Sequence, residues 1–167
     1  MKALRNVLDT VLKVLAGGSL LAMTVLTAYQ VFTRYLLSAP STWSEELVSY
    51  LFAWSTLFGA AIVTGERGHM NIPILVDAFP APVRKAFYVF AEVVAFLFAA
   101  AILVFGGIQV SSLAMGQMTS SLGVAVGLFY WVMPLCGVVM VLYTVLNVVG
   151  ILRGEISPEG GEEERED

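Results

Sequence analysis

The sequence has 167 residues, of which 58% are apolar and 13% are charged, and its mean hydropathy is +0.83. This composition is far from that of a soluble domain and predicts an integral membrane protein with a single membrane domain. The formal net charge of −4 has a local origin: residues 153–167 hold seven acids and two arginines, and the rest of the chain sums to +1 (six acids, seven bases). Neither part indicates nucleic-acid binding.

The first thirteen residues form an amphipathic pattern. Apolar and charged side chains recur there at helical spacing on opposite faces. The apolar face is formed by Leu4, Val7, Leu8, Val11 and Leu12, and the charged face by Lys2, Arg5, Asp9 and Lys13. We expect residues 1–13 to be a cytoplasmic extension of the first membrane helix, lying at the level of the lipid headgroups.

Three stretches contain no charged residue and no histidine, at 14–33, 47–65 and 93–152. A hydrocarbon core about 30 Å thick is crossed by about 20 helical residues. The first two stretches therefore predict one span each, and the third, which has 60 residues and a polar turn at 116–121, predicts two. The predicted fold class is an all-α integral membrane protein with four transmembrane helices inside residues 14–152, at about 14–35, 46–65, 86–114 and 124–151.

The positions of Lys and Arg predict the orientation of these spans. If the N-terminus is cytoplasmic, eight of the nine basic residues lie inside and only Arg34 lies outside. Both termini are then cytoplasmic, and we expect the acidic residues 153–167 to be a disordered tail, because they are rich in Gly, Pro and Glu. A cleaved signal peptide is an alternative for the first span. Its 20 uncharged residues are long for such a peptide, however, and no clear A-x-A site occurs near Ala28.

Polar side chains mark the predicted outer end of helix 1. Thr27, Gln30 and Arg34 fall at i, i+3 and i+7, so they share one face. A polar seam in a membrane helix usually meets another helix. Arg34 could equally extend to the outer headgroups.

Helix 2 begins with two adjacent acids, Glu45 and Glu46. Thr42 and Glu45 have the spacing of a capping box, and acids suit the positive end of the helix dipole. This account does not explain why two acids lie opposite Arg34 across a short loop. We therefore hypothesise an ion pair between Arg34 and either Glu45 or Glu46 that joins helices 1 and 2.

An aromatic stripe continues along helix 2. Trp43, Tyr50 and Trp54 recur at i, i+7 and i+11, and Gly59 beyond them allows a close backbone approach. Such a stripe packs either within the fold or against a partner subunit. Trp43 also suits the membrane interface.

The loop between helices 2 and 3 contains Arg67 and His69. A lone loop histidine is more often a hydrogen-bonding residue than a metal ligand. The only acid near the later spans is Glu92. A helix from Pro82 to Met115 would be about 50 Å long, so we expect Glu92 to lie near the cytoplasmic interface, where ionisation costs little, and to be structural rather than functional.

Residue counts argue against most membrane enzymes. Thiol–disulfide chemistry needs paired cysteines, and Cys136 is the only one. Haem and metal sites need several ligands, and His69 is the only histidine. No nucleophile elbow or phosphate-binding loop occurs. We expect no catalytic residue, no cofactor and no metal.

These residues together resemble the small membrane subunit of tripartite ATP-independent periplasmic (TRAP) transporters, the DctQ type. In that family an Arg-Tyr pair ends helix 1 and a Trp-x-Glu-Glu pattern opens helix 2. The matching positions here are Gln30, Arg34, Tyr35, Trp43, Glu45, Glu46, Trp54, Gly59, Arg67, His69, Pro134 and Gly137. One departure is that Asn71, Ile72 and Pro73 follow Met70, where the family loop often reads His-(apolar)-Arg-Val-Asp.

The resemblance implies a non-catalytic scaffold in the bacterial inner membrane, surrounded by lipids and bound to a large permease of about a dozen spans. A periplasmic binding protein would deliver an organic acid, and a sodium gradient would drive its uptake. The polar, aromatic and small residues above would then be structural or would contact the partner. The alternatives are a stand-alone four-helix exporter and an unrelated membrane scaffold.

Overall fold

A computed structural model of the chain describes residues 2–66 and 80–153. The predictions for Arg67 and His69, and the prediction of a disordered tail beyond Arg153, lie outside these residues. Within them the secondary structure is helical, and no β-strand is present. The helices are α1 (Lys2–Tyr35), α2 (Thr42–Gly65), α3 (Ala81–Phe98), a π-helical segment (Ala99–Gly106), α4 (Gly107–Ala114), α5 (Val126–Tyr130) and α6 (Val132–Arg153).

Among residues 2–66 and 80–153, four helical stretches are long and apolar enough to cross a membrane, which confirms the predicted fold class. α3, the π-helical segment and α4 follow one another directly and form the third span, and α5 and α6 form the fourth. The four stretches are Arg5–Tyr35, Thr42–Gly65, Pro82–Ala114 and Val126–Arg153. The second begins four residues earlier than expected, because the polar turn that contains Glu45 is already helical. The orientation of the termini stays a prediction.

α1 runs without interruption from Lys2 to Tyr35, about 51 Å at 1.5 Å per residue. The predicted amphipathic segment 1–13 is therefore continuous with the first span. One side of this segment faces the other helices, because Leu12 is 4% exposed.

The four spans pack as a row in the order first, second, fourth, third. α1 packs chiefly against α2, and α6 packs against both α2 and the third span. The fourth span is the most buried, because 44% of the residues in its apolar stretch are buried, against 11–17% in the other three spans. The fourth span is thus the centre of the molecule, and the first and third spans leave broad faces uncovered.

Small residues bring the third and fourth spans close together. A Cβ added at Gly137 would lie 2.8 Å from Leu103 Cβ, and one added at Gly107 would lie 3.0 Å from Pro134 Cδ. Gly127 lies so close to α4 that an added Cβ would clash with the Ser111 carbonyl oxygen. Close packing of this kind holds helices together in lipid. The acyl chains are as apolar as the helix surfaces, so the hydrophobic effect does not drive helices together there.

Candidate partner interface and the contacts that position it

Arg34 and Glu45 join α1 to α2 at the end of the molecule that the charge pattern predicts to be periplasmic, which we call the outer end. Arg34 Nη2 donates a hydrogen bond to Glu45 Oε1 at 3.0 Å. Both side chains are about half exposed, at 59% and 49%. Of the two ion pairs hypothesised from the sequence, the structure contains Arg34–Glu45.

Glu46 binds a different element from its neighbour. Its two carboxylate oxygens accept hydrogen bonds from the backbone N–H groups of Ser120 and Ser121, at 3.1 and 2.9 Å. These residues belong to the loop between the third and fourth spans. The loop also closes on itself, because Thr119 N donates to the Val124 carbonyl oxygen at 2.9 Å. The adjacent acids therefore join three elements, and we call Arg34, Glu45, Glu46, Ser120 and Ser121 the outer clamp.

The lower part of the aromatic stripe packs within the fold. The ring of Tyr50 stacks on that of Phe129, with centroids 4.1 Å apart and an interplanar angle of 6°. Trp54 Nε1 donates to the Phe129 carbonyl oxygen at 2.8 Å. This carbonyl is available because α5 ends at Tyr130, and the last carbonyls of a helix have no intrahelical donor. At the top of the stripe, Trp43 contacts Tyr29 of α1, with centroids 6.0 Å apart.

The remaining candidates on α1 and α2 do not form one unit with Arg34. Thr27 is exposed and donates its hydroxyl to the Met23 carbonyl of its own helix at 2.8 Å. Gln30 is half-buried, and its buried Nε2 has no hydrogen-bond partner among the described residues. Gly59 has open space beside it, since a Cβ built there meets no atom within 4 Å apart from its own helix backbone and chain neighbours. No described helix of this chain therefore packs closely against Gly59.

A second set of contacts joins α1, α2 and α6 at the opposite, inner end. Lys13 Nζ lies 3.3 Å from Glu66 Oε1, and the Arg5 guanidinium donates to the Gly65 carbonyl oxygen. The Tyr143 hydroxyl donates to the Asp9 carboxylate, and Asn147 Nδ2 donates to the Thr64 carbonyl oxygen at 3.3 Å. We call these eight residues the inner latch.

Sequence reasoning missed the α6 members of the inner latch and the loop contact of Glu46. Tyr143 and Asn147 are both 0% exposed. The available signal was a tyrosine and an asparagine in an otherwise apolar helix, since polar groups in lipid need partners.

Glu92 corrects one expectation. It was expected at an interface where ionisation costs little, but its side chain is 0% exposed. It lies between α3 and α6, where it lines a groove of about 150 Å³ together with Phe96, Thr144, Val145 and Val148. The side chain is therefore shielded from water by packing within this chain, which the expectation of an open interfacial position did not include. The reason is that α3 packs this face directly on α6.

The ion pairs and long-range hydrogen bonds of the outer clamp and the inner latch join helices and a loop of this chain to one another. In the part of the chain that the structure describes, no three His, Cys, Asp or Glu side chains are grouped so that they could hold a metal ion. Residues 23–154 match the family described as tripartite ATP-independent periplasmic transporters, DctQ component. The chain belongs to this family, so it is a multi-pass membrane component of a TRAP transporter rather than an enzyme.

Individual relatives agree with the family match. The sialic acid TRAP transporter small permease protein SiaQ of Vibrio cholerae is 29% identical over 157 residues, which cover 92% of this chain and 90% of that protein. The C4-dicarboxylate TRAP transporter small permease protein DctQ of V. cholerae is 35% identical over 66 residues, 40% of this chain and 28% of that protein. The sialic acid TRAP transporter permease protein SiaT of Haemophilus influenzae is 28% identical over 82 residues, 48% of this chain and 13% of that protein.

Proposed function

We propose that this chain is the scaffold subunit of a sodium-driven transporter that imports an organic acid across the bacterial inner membrane. It would hold a large permease in the bilayer and would bind neither substrate nor sodium itself. The observation that supports this role best is that the charged side chains of the outer clamp and the inner latch bind other parts of this chain.

The comparisons support a large permease as the partner. Related residues make up only 13% of the sialic acid permease protein SiaT, so most of that protein lies outside the match. A segment like this one therefore occurs in the same polypeptide as a much larger membrane permease. In our chain the corresponding association would be between separate subunits.

The proposed substrate class rests on the names of the relatives. Two of them are named for sialic acid and for C4-dicarboxylates, and both ligands are carboxylic acids. We infer an organic acid, delivered by a periplasmic binding protein. Because substrate recognition would lie on the binding protein and the large permease, changes in this chain should alter the amount of assembled transporter rather than its choice of substrate.

Reconstitution tests this proposal. Liposomes are prepared with this chain alone, with the large permease alone and with both, and uptake of a labelled organic acid is measured with and without binding protein and an inward sodium gradient. We expect uptake only when both membrane subunits, the binding protein and the gradient are present. Sodium-dependent uptake by this chain alone would contradict the proposal and would favour a stand-alone transporter.

A further inference from the structure

Apart from Asn6, Thr10 and Thr42 near the starts of α1 and α2, the exposed Ser, Thr, Asn and Gln side chains of the spans fall into two groups. The first group forms its hydrogen bonds within this chain. Each hydroxyl in this group donates to the carbonyl oxygen four residues earlier in its own helix, at 2.8–3.1 Å. The members are Thr24, Thr27, Ser49 and Thr56. A hydroxyl bonded in this way can face lipid, because its donor is already satisfied.

The second group consists of Gln109 and Ser112 in α4. Both are exposed, and they lie three residues apart on one face of the helix. Among the described residues no hydrogen bond involves the Gln109 amide or the Ser112 hydroxyl, whereas the adjacent Ser111 donates to the Gly107 carbonyl oxygen at 2.7 Å. A glutamine amide presents two donors and an acceptor, and acyl chains can satisfy none of them.

Gln109 also lies well below the outer end. The neighbours of Gly107 and Gly127 show that this part of α4 is level with residues 127–134 of the fourth span. Within that stretch Phe129 contacts Tyr50 and Trp54, which follow Glu45 by five and nine residues. At 1.5 Å per residue, Gln109 is therefore about 8–14 Å below the Arg34–Glu45 pair. The interfacial region is about 5–8 Å thick on each side of the hydrocarbon core. With the Arg34–Glu45 pair at the level of the headgroups, Gln109 therefore lies in hydrocarbon, beyond the reach of a headgroup.

We propose that the face of the third span around Phe105, Gln109 and Ser112 is the docking site for a transmembrane helix of the large permease. The Gln109 amide would bond to a polar side chain or to a free backbone carbonyl on that helix. This inference rests on the proposed function, which supplies the partner. The face is available because the third span is an end member of the row of helices, and Phe105, 65% exposed, provides apolar contact area beside the amide.

Photo-crosslinking in membranes that contain the whole transporter tests the contact. A photoreactive amino acid replaces Gln109 in one variant and Thr24 or Thr56 in two controls, whose hydroxyls are bonded within their own helices. We expect position 109 to form an adduct with the large permease in a yield several times that of the controls. Adducts at 109 with lipid alone, or with a second copy of this chain, would overturn the inference.

Substitution gives an independent measurement. Gln109→Leu should lower the amount of large permease that co-purifies with this chain about threefold to tenfold, the range expected for one interhelical hydrogen bond. Gln109→Asn should retain most of it, and Thr56→Val should leave it unchanged. The stability of the isolated chain should be the same for Gln109→Leu and wild type, because the amide forms no hydrogen bond with the described residues that the change could break.

The docking face and the proposed function can be disproved separately. If the wild-type chain co-purifies with the large permease and Gln109→Leu does so equally well, the docking face is wrong and the proposed function stands. If no large permease co-purifies with the wild-type chain under mild detergent extraction, the proposed function itself is wrong.

Discussion

The outer clamp and the inner latch both join α1 to α2, but each adds a third element and uses different chemistry to hold it. Each contains one ion pair, Arg34–Glu45 or Lys13–Glu66, and the two pairs are almost equally exposed. Exposed pairs of this kind contribute about 0–1 kcal/mol, so they do not distinguish the two ends. The difference lies in the second contact of each end. Glu46 binds exposed backbone N–H groups of a loop, whereas Tyr143 and Asn147 bind from fully buried positions.

The comparison indicates that the inner end is fixed by the packed core and the outer end by a loop contact that water can replace. Tyr143 illustrates the inner case, because a Cβ added at Gly65 would lie only 3.0 Å from its ring. Loss of a buried group leaves a cavity or an unpaired polar atom, whereas loss of an exposed contact leaves groups that water can solvate. Damage should therefore be larger at the inner end.

The largest effect is expected from Tyr143→Ala. Removal of this ring, which is 0% exposed, should lower the free energy of unfolding by about 3–5 kcal/mol, as large-to-alanine changes in packed cores do. The measurement is an SDS unfolding titration of the purified chain. Tyr143→Phe is the matched control, since it keeps the ring, loses only the bond to Asp9 and should cost about 1 kcal/mol. Equal losses for the two variants would show that the hydrogen bond, not the packing, fixes the inner end.

At the outer end the largest effect should come from Glu46→Ala. This change removes the acceptor of two charge-assisted bonds, so the stability of the loop should fall by about 1–2 kcal/mol. Amide exchange at Ser120 and Ser121 should then accelerate about 5- to 30-fold. Exchange at Thr119, whose N–H donates to Val124, is the internal control. Unchanged protection at both serines would mean that the loop keeps its shape without the clamp.

A smaller effect is expected midway between the two ends, from Trp54→Phe. Phenylalanine keeps an aromatic ring against Phe129 but loses the indole N–H, which donates to the Phe129 carbonyl at 2.8 Å. A hydrogen bond of this kind contributes about 1 kcal/mol, and SDS titration should detect its loss. Tyr50→Leu, which removes the stacked ring instead, separates stacking from hydrogen bonding. If Trp54→Phe has no effect, the aromatic stripe acts through packing alone.

The sequence predicted the spans because hydrocarbon excludes charge, and this constraint acts on every residue of a span. It predicted the partners of individual polar side chains less well. Glu45 and Glu46 are neighbours in sequence, and only the packed positions of α1 and of the loop determine that one binds Arg34 and the other binds Ser120 and Ser121. The bonds of Tyr143 to Asp9 and of Asn147 to Thr64 join residues more than 80 positions apart, a distance that helical periodicity does not address. The burial of Glu92 is missed for the same reason, since it depends on the face that α3 turns to α6.

The smallest expected effect is that of the Arg34–Glu45 pair, which is also the contact that the sequence identified most directly. Both side chains are about half exposed, so a double-mutant cycle of Arg34→Glu and Glu45→Arg should give a coupling of about 0.2–1 kcal/mol that decreases as salt is added. The double reversal should recover most of the stability that either single reversal loses, because it restores opposite charges at the same separation. Lys13→Glu with Glu66→Lys is the matched pair at the inner end, with nearly the same exposure. Equal couplings at the two ends would confirm that surface charge does not distinguish them, whereas damage that is identical in single and double variants at Arg34 and Glu45 would show that the ion pair does not hold α1 to α2.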